Sequence, residues 1–195
     1  MTETESTHML YSGLSEYLPN PTASKILYDA MLEMGTPKFD EDDFKIAHEF
    51  FHNAYSPEIV ERNKQKLLHA YGSEKGQEII QKPLATNLLP FQISKQAVAG
   101  STDVGDVSQV VPTAQLIFAP YAIGTVGHTW QVTAQMCTSM AHKAVLAAGA
   151  SIARAAIQVI QQPAICEQAK EELVAETGGK YDCPIPKDVG PHLEG

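Results

Sequence analysis

The residue types that could bind a metal ion include one helical motif. His48-Glu49-Phe50-Phe51-His52 is a literal HExxH sequence, which on a helix places two imidazoles on one face with a glutamate between them. In zinc metalloproteases this glutamate is the general base. No motif marks a third ligand, and histidines often border an apolar helical stripe such as the one around Phe51. A zinc metalloprotease is therefore one alternative function.

Another candidate ligand is His128, in the turn Gly124-Thr125-Val126-Gly127-His128. One imidazole binds a metal weakly, because affinity depends on several ligands acting together. A turn histidine that hydrogen-bonds to the backbone explains the same residue, so the spacing leaves its role open. Trp130 could wall a pocket or act as a buried anchor.

Several other residues of metal-binding type have simpler explanations. We interpret His142, in an alanine-rich helix, as packed, and Glu171-Glu172 as solvated surface. Asp103 and Asp106 follow glycines and could bind a metal in a loop, but turn-forming aspartates that bond their own backbone are commoner.

Composition and charge exclude several classes of partner. The net charge of −9 and the absence of a basic run argue against nucleic acid and anionic membranes. The three cysteines are odd in number and far apart, which is typical of a reducing compartment. The N-terminus does not resemble a signal peptide, and no apolar run approaches the roughly 20 residues that span a bilayer. We expect a cytoplasmic protein.

The elements that must position these residues are mostly helices. The pattern predicts a helix that Thr22 caps and Gly35 stops, then helices from Asp40, from Pro57 to Gly72, over Thr138–Ile160 and over Ala164–Glu176. It predicts a strand at Gln115–Ala119 that is buried on both faces, and a short strand around Met9–Tyr11. These strands are too few for an α/β domain, so we expect part of the sheet to come from sequence outside this chain.

A resemblance to a known family is carried by two segments, GSTDVGDVS at Gly100–Ser108 and GTVGHTW at Gly124–Trp130. The chain resembles the C-terminal part of the zinc-dependent aminoacylase/carboxypeptidase amidohydrolases. Within that superfamily it is most similar to the p-aminobenzoyl-glutamate hydrolase B-subunit group. The similarity covers about Leu10 to Pro186.

The resemblance implies an α/β fold: an incomplete three-layer, zinc-exopeptidase-like catalytic domain that is helix-rich and lacks the lid domain. In that family the catalytic domain is built from two stretches of chain, and this one matches the second. Residues 1–18 would be a polar leader and a remnant of the strand returning from the lid. Residues 19–177 would be the catalytic-domain segment, and 178–195 an extended tail.

The resemblance also implies roles for individual residues. His128 matches a metal ligand, while Thr102 and Asp103 match a loop that lines the substrate pocket. Gln109 departs from the close subgroup, which has a tryptophan there. The family's first stretch supplies a His-x-Asp pair, a bridging Asp and a Glu-Glu pair. None of the seven histidines here is followed at i+2 by Asp. No complete catalytic set is present, and we do not expect this chain alone to hold the family's divalent zinc or manganese stably.

The predicted function is a fragment or split subunit of a metal-dependent amidohydrolase that cleaves acyl- or aroyl-amino acid amides such as p-aminobenzoyl-glutamate. Alone, the chain is expected to be inactive. A separately encoded N-terminal half could complete it, and a non-catalytic complementing subunit is a further alternative. We also expect a homo-oligomer, because packing surfaces meant for the missing half would otherwise be exposed.

Overall fold

The computed structural model describes residues 3–93 and 100–190, apart from the side chains at positions 70, 71, 73 and 75. The first two residues of the predicted leader and the last five of the predicted tail lie outside this part. Within it, the chain forms eight helices and no strand. They are α1 (Pro21–Met34), α2 (Glu41–Asn53), α3 (Pro57–Tyr71), α4 (Ser73–Ile80), α5 (Val104–Val110), α6 (Trp130–Met136), α7 (Ser139–Gln161) and α8 (Ala164–Thr177). The helix-rich character predicted from sequence is confirmed.

The chain divides into two compact units, which are described separately. The terminal unit comprises Met1–Lys25, Gln92–Gln115 and Gln161–Gly195 and includes α5 and α8. The central unit comprises Ile26–Phe91 and Leu116–Ile160 and includes α2, α3, α4, α6 and nearly all of α7. The predicted division at residues 18 and 177 stays a prediction.

The start of α1 is fixed by Asn20 and not, as the sequence predicted, by Thr22. The Ala23 amide donates to Asn20 Oδ1 at 2.9 Å, which makes Asn20 the N-cap ahead of Pro21. Thr22 instead donates through its amide and its hydroxyl to the carboxylate of Glu172 on α8, at 3.0 and 2.6 Å. Glu172 is half-buried, so the interpretation of both glutamates of that pair as solvated is wrong for this one.

The start of α2 is tied to α7 in the central unit. The helix predicted from Asp40 begins at Glu41 with Asp40 as its N-cap, and Asp43 completes a capping box with Asp40. The buried Asp43 carboxylate also accepts from Ser139 Oγ and Lys143 Nζ, each at 2.5 Å, and Lys143 reaches Asp40 at 2.6 Å. Burial raises the pKa of Asp43, but the hydrogen bonds from Lys143 and Ser139 outweigh burial and hold it below its ordinary value.

The core of the central unit joins α2 to α7 and two connecting segments. Ala47, Leu84, Ala122 and Met140 are fully buried and in contact. Phe44 and Phe51 of α2 pack against them, together with Phe39, Ile46 and Phe50, which confirms the predicted apolar stripe of α2.

The predicted strand at Gln115–Ala119 does not form. The segment has no regular structure, none of its residues is fully buried, and Ile117 is 89% exposed. The predicted strand at Met9–Tyr11 is likewise irregular, with Met9 and Tyr11 exposed. A strand needs a second strand to pair with, and the described residues form none. The sequence pattern therefore identified apolar segments that have no partner strand within residues 3–93 and 100–190.

One long helix, α7, presents two different faces. Met140, Ala141, Ala144, Ser151 and Ala155 are buried, whereas Leu146 is 73% and Ile160 78% exposed. By length and composition alone α7 could cross a membrane, in contrast to the expectation that no such run exists. Lys143 and Arg154 on α7 nevertheless pair with Asp40 and Glu33 of the same unit, as in a helix packed on protein.

Candidate metal-ligand turn and substrate loop

His128 lies at the end of a turn that α6 follows directly. We call residues 122–129 the glycine turn. Gly124 has φ +82° and His128 has φ +59°, so the chain twice enters the left-handed region, the second time at a non-glycine residue. The His128 side chain is exposed, and it has no hydrogen-bond partner among the described residues. The interpretation of His128 as a side chain bonded to backbone is not supported.

A buried glutamine of α6 closes the glycine turn from inside. Gln135 is fully buried, and its Oε1 accepts from the Ala122 amide at 2.8 Å. Its Nε2 donates to Thr125 Oγ1 at 3.0 Å, and that hydroxyl donates to the Ala122 carbonyl at 2.7 Å. Because a buried amide binds both sides of the turn, the backbone leading to His128 is held in one conformation.

Side chains of the α2–α3 region hold the turn from outside. Tyr55 Oη accepts from the Val126 amide at 3.0 Å, and Asn63 Nδ2 donates to the Gly124 carbonyl at 2.6 Å. The sequence did not reveal Gln135, Tyr55 and Asn63 as part of this site. Each of them hydrogen-bonds to a turn residue that lies more than ten positions away in the sequence. Trp130 is 69% exposed, so its interpretation as a buried anchor is wrong.

The loop that carries Thr102 and Asp103 belongs to the terminal unit. Both side chains are exposed, and the Thr102 hydroxyl accepts from the Val104 amide at 3.3 Å, which shapes the entry to α5. Asp103 sits at the start of α5 without capping it, and its exposed carboxylate accepts a long hydrogen bond from Thr102 Oγ1 at 3.5 Å. Two exposed polar groups at a helix start can hydrogen-bond a ligand, which is compatible with their predicted role.

Other residues of the same motif are structural. A Cβ at Gly105 would lie 2.1 Å from the Ser15 carbonyl oxygen, so only glycine allows this approach. Ser108 Oγ accepts from the Leu18 amide at 2.8 Å, and Asp106 Oδ1 accepts from the Ser15 amide at 3.0 Å. These contacts fasten residues 15–18 to α5.

Asp106 also accepts from Tyr181 Oη at 2.9 Å. That bond to a carboxylate raises the pKa of Tyr181 to about 12, and the bonds from Ser15 and Tyr181 lower the pKa of Asp106. Because its Oδ1 already accepts hydrogen bonds from Ser15 and Tyr181, we interpret Asp106 as a structural residue and not as a metal ligand. Gln109, the departure from the subgroup, donates to the Glu16 carbonyl at 2.9 Å.

The donor set does not fit a complete metal site. Within residues 3–93 and 100–190 no three His, Cys, Asp or Glu side chains come together in a way that could hold an ion. The HExxH motif supplies two exposed histidines, and Glu49 accepts from Asn53 Nδ2 at 2.7 Å. His142 is exposed and not packed as predicted. His128 therefore stands as a single donor, and a catalytic zincin centre has no third ligand in the described part of the chain.

Comparison with known proteins gives one relative among curated proteins. The chain is 32% identical over 196 residues to the B-subunit of p-aminobenzoyl-glutamate hydrolase from Escherichia coli (strain K12). The match covers 98% of this chain but only 40% of that protein. No protein-family model matches the chain. No solved structure matches it either. The chain is thus similar to the p-aminobenzoyl-glutamate hydrolase B-subunit, as its two glycine-rich motifs predicted, and the match is consistent with a C-terminal part of that family.

Proposed function

We propose that this chain is the C-terminal part of a metal-dependent amidohydrolase that cleaves acyl- or aroyl-amino acid amides such as p-aminobenzoyl-glutamate. Its contribution is one metal ligand, His128, and a substrate-facing loop at Thr102 and Asp103. The observation that carries the proposal is the relation to the E. coli hydrolase over 98% of the chain. The exposed imidazole of His128, which has no hydrogen-bond partner among the described residues, supports it, as does the bracing of its turn by Gln135.

The remaining donors would come from residues outside these 195. A hydrolytic zinc site has three protein ligands and a bound water, and the described residues do not supply that set. Zinc or manganese would therefore bind at His128 only when the outside donors are present. The chain alone would not turn over substrate. The match covers only 40% of the relative, so those donors would lie in the rest of a longer polypeptide or, since the relative's name calls it a subunit, in a second one.

The proposed α/β fold would also be completed from outside. Residues 116–119 are an apolar segment that lacks a strand neighbour among the described residues, and α7 exposes Val145, Leu146, Ile152, Ile157 and Ile160. A sheet that accepted this segment and packed under α7 would bury both. In the absence of that sheet, a second copy of the chain would cover α7, because exposed apolar surface of this extent favours association.

A chimera tests the function directly. The matching 40% of the E. coli protein would be replaced by this chain, and release of p-aminobenzoate from p-aminobenzoyl-glutamate measured with zinc or manganese. We expect hydrolysis that chelation abolishes. His128→Ala should lower kcat/KM by more than about 100-fold. Mutating a residue that only hydrogen-bonds to a metal ligand already costs about 10- to 100-fold in metal affinity or activity.

The matched control is Glu49→Gln, which would remove the general base of a zincin and should leave hydrolysis unchanged. Hydrolysis that survives His128→Ala, or that falls with Glu49→Gln, would refute the assignment. The unfused chain with metal should show no turnover above background.

Light scattering tests the proposed association of the chain alone. At micromolar concentration we expect a dimer or larger species. Leu146→Lys combined with Ile152→Lys should convert it to monomer without loss of helical circular dichroism, because both side chains are exposed on α7 and neither belongs to the buried cluster around Met140. A monomeric wild-type chain contradicts the proposal.

A further inference from the structure

A histidine pair on α2 is left unused by the proposed function. His48 and His52 are both exposed and lie one helical turn apart. Their ring centroids are 4.1 Å apart with an interplanar angle of 47°. The pair therefore already occupies the same small patch of surface.

This spacing is close to what one metal ion requires. With metal–nitrogen distances of about 2.0–2.1 Å, the centroids of two imidazoles on one ion are roughly 4.5–5 Å apart, so the rings need to separate by less than about 1 Å. His52 also meets the edge of Phe51 at a centroid distance of 4.8 Å, and Phe51 packs against the core. This contact positions one of the two rings before any ion arrives, which lowers the entropic cost of binding.

The neighbouring glutamate gives the pair a different character from a protease site. Glu49 Oε2 accepts from Asn53 Nδ2 at 2.7 Å, one turn along α2. With no third protein donor in the described ranges, an ion here would keep several water ligands. Imidazole nitrogens favour copper, nickel and zinc, whereas magnesium and calcium favour oxygen.

We propose that His48 and His52 form a two-histidine surface site that chelates one borderline divalent transition ion, and that this is where the isolated chain takes up such ions. The site is independent of His128 and has no hydrolytic role. Copper binds it more tightly than nickel or zinc, following the general order of divalent affinities.

Titration calorimetry with nickel chloride tests the site on the full chain without a histidine tag. One ion should bind per chain, and magnesium should give no signal. His48→Ala and His52→Ala should each weaken binding by at least about tenfold, because the second imidazole of a chelate acts at high effective concentration. His69→Ala, another exposed helical histidine, is the matched control and should bind as wild type. Equal binding by wild type and the single variants overturns the proposal.

Two further variants separate chelation from misfolding. Lys45→His in the His48→Ala background keeps seven histidines but places the pair two turns, about 10 Å, apart, and should not restore binding. Glu49→His in the same background places the pair at i and i+3, again on one face, and should restore it. Restoration by the first variant, or failure of the second while its circular dichroism is native, contradicts the site. Loss of nickel binding in His128→Ala would also contradict the proposal, because it would show that the ion binds at the glycine turn.

Discussion

The contact between Gly105 and Ser15 gives a prediction whose sign is not obvious. Gly105 lies inside α5, where alanine would ordinarily favour the helix by about 1 kcal/mol. The added Cβ, however, would lie 2.1 Å from the Ser15 carbonyl oxygen. Reaching an ordinary contact of about 3.4 Å moves residues 15–18 away by more than about 1 Å. That movement also breaks the 2.8 Å bond from the Leu18 amide to Ser108.

The expected net effect of Gly105→Ala is a loss of about 0.5–3.5 kcal/mol in the free energy of unfolding. Overpacking costs about 1–3 kcal/mol and the lost hydrogen bond about 0.5–1.5, against the helical gain of about 1. Urea unfolding followed by circular dichroism measures the change. Gly149→Ala is the matched control, since a Cβ there meets nothing within 4 Å and alanine should stabilise α7. If Gly105→Ala were as stable as Gly149→Ala, the reasoning about the close approach would be refuted.

Three further predictions concern hydrogen bonds to buried or charged groups. Asp106→Asn should return the pKa of Tyr181 from about 12 towards about 10, measured by ultraviolet titration against Tyr181→Phe; an unchanged value would exclude the bond in solution. Gln135→Leu should cost about 1–3 kcal/mol of stability, because it leaves the buried Ala122 amide without an acceptor. It should also lower hydrolysis by the chimera. Unchanged stability and unchanged hydrolysis would show that Gln135 does not brace the turn. Because the pKa of folded Asp43 lies below its unfolded value near 4, its stabilising effect is complete above about pH 4 and is lost as the pH falls through the folded value. Asp43→Asn should therefore lose less thermal stability than wild type between about pH 7 and pH 3, and equal losses would contradict that sign.

Local signals in the sequence predicted the helix boundaries best. Asp40 caps α2 and Gly35 ends α1, with φ +80°, because caps and glycine stops act within a few residues. Thr22 and Asn20 are both good capping residues, so the local pattern does not separate them. The choice depends on α8, where the Ala169 carbonyl accepts from Asn20 and Glu172 accepts from Thr22.

Only the part of the candidate site that lies in recognisable sequence motifs could be predicted. His128, Thr102 and Asp103 were assigned through the family resemblance; all three side chains are exposed, and their roles stay predictions. Gln135 gave no sequence signal, because an amide on a short helix is ordinary until the fold buries it. The strand at Gln115–Ala119 could not be judged from its own residues, since pairing depends on a neighbour that the described residues do not provide.

The left-handed backbone at His128 has an evolutionary consequence. A residue with a Cβ adopts φ +59° at a cost of about 1 kcal/mol, a penalty that glycine escapes. A lineage with no use for the imidazole would gain stability by mutating this codon to glycine or asparagine. The identity of this position across descendants would therefore record whether selection still maintains the imidazole, independently of any assay.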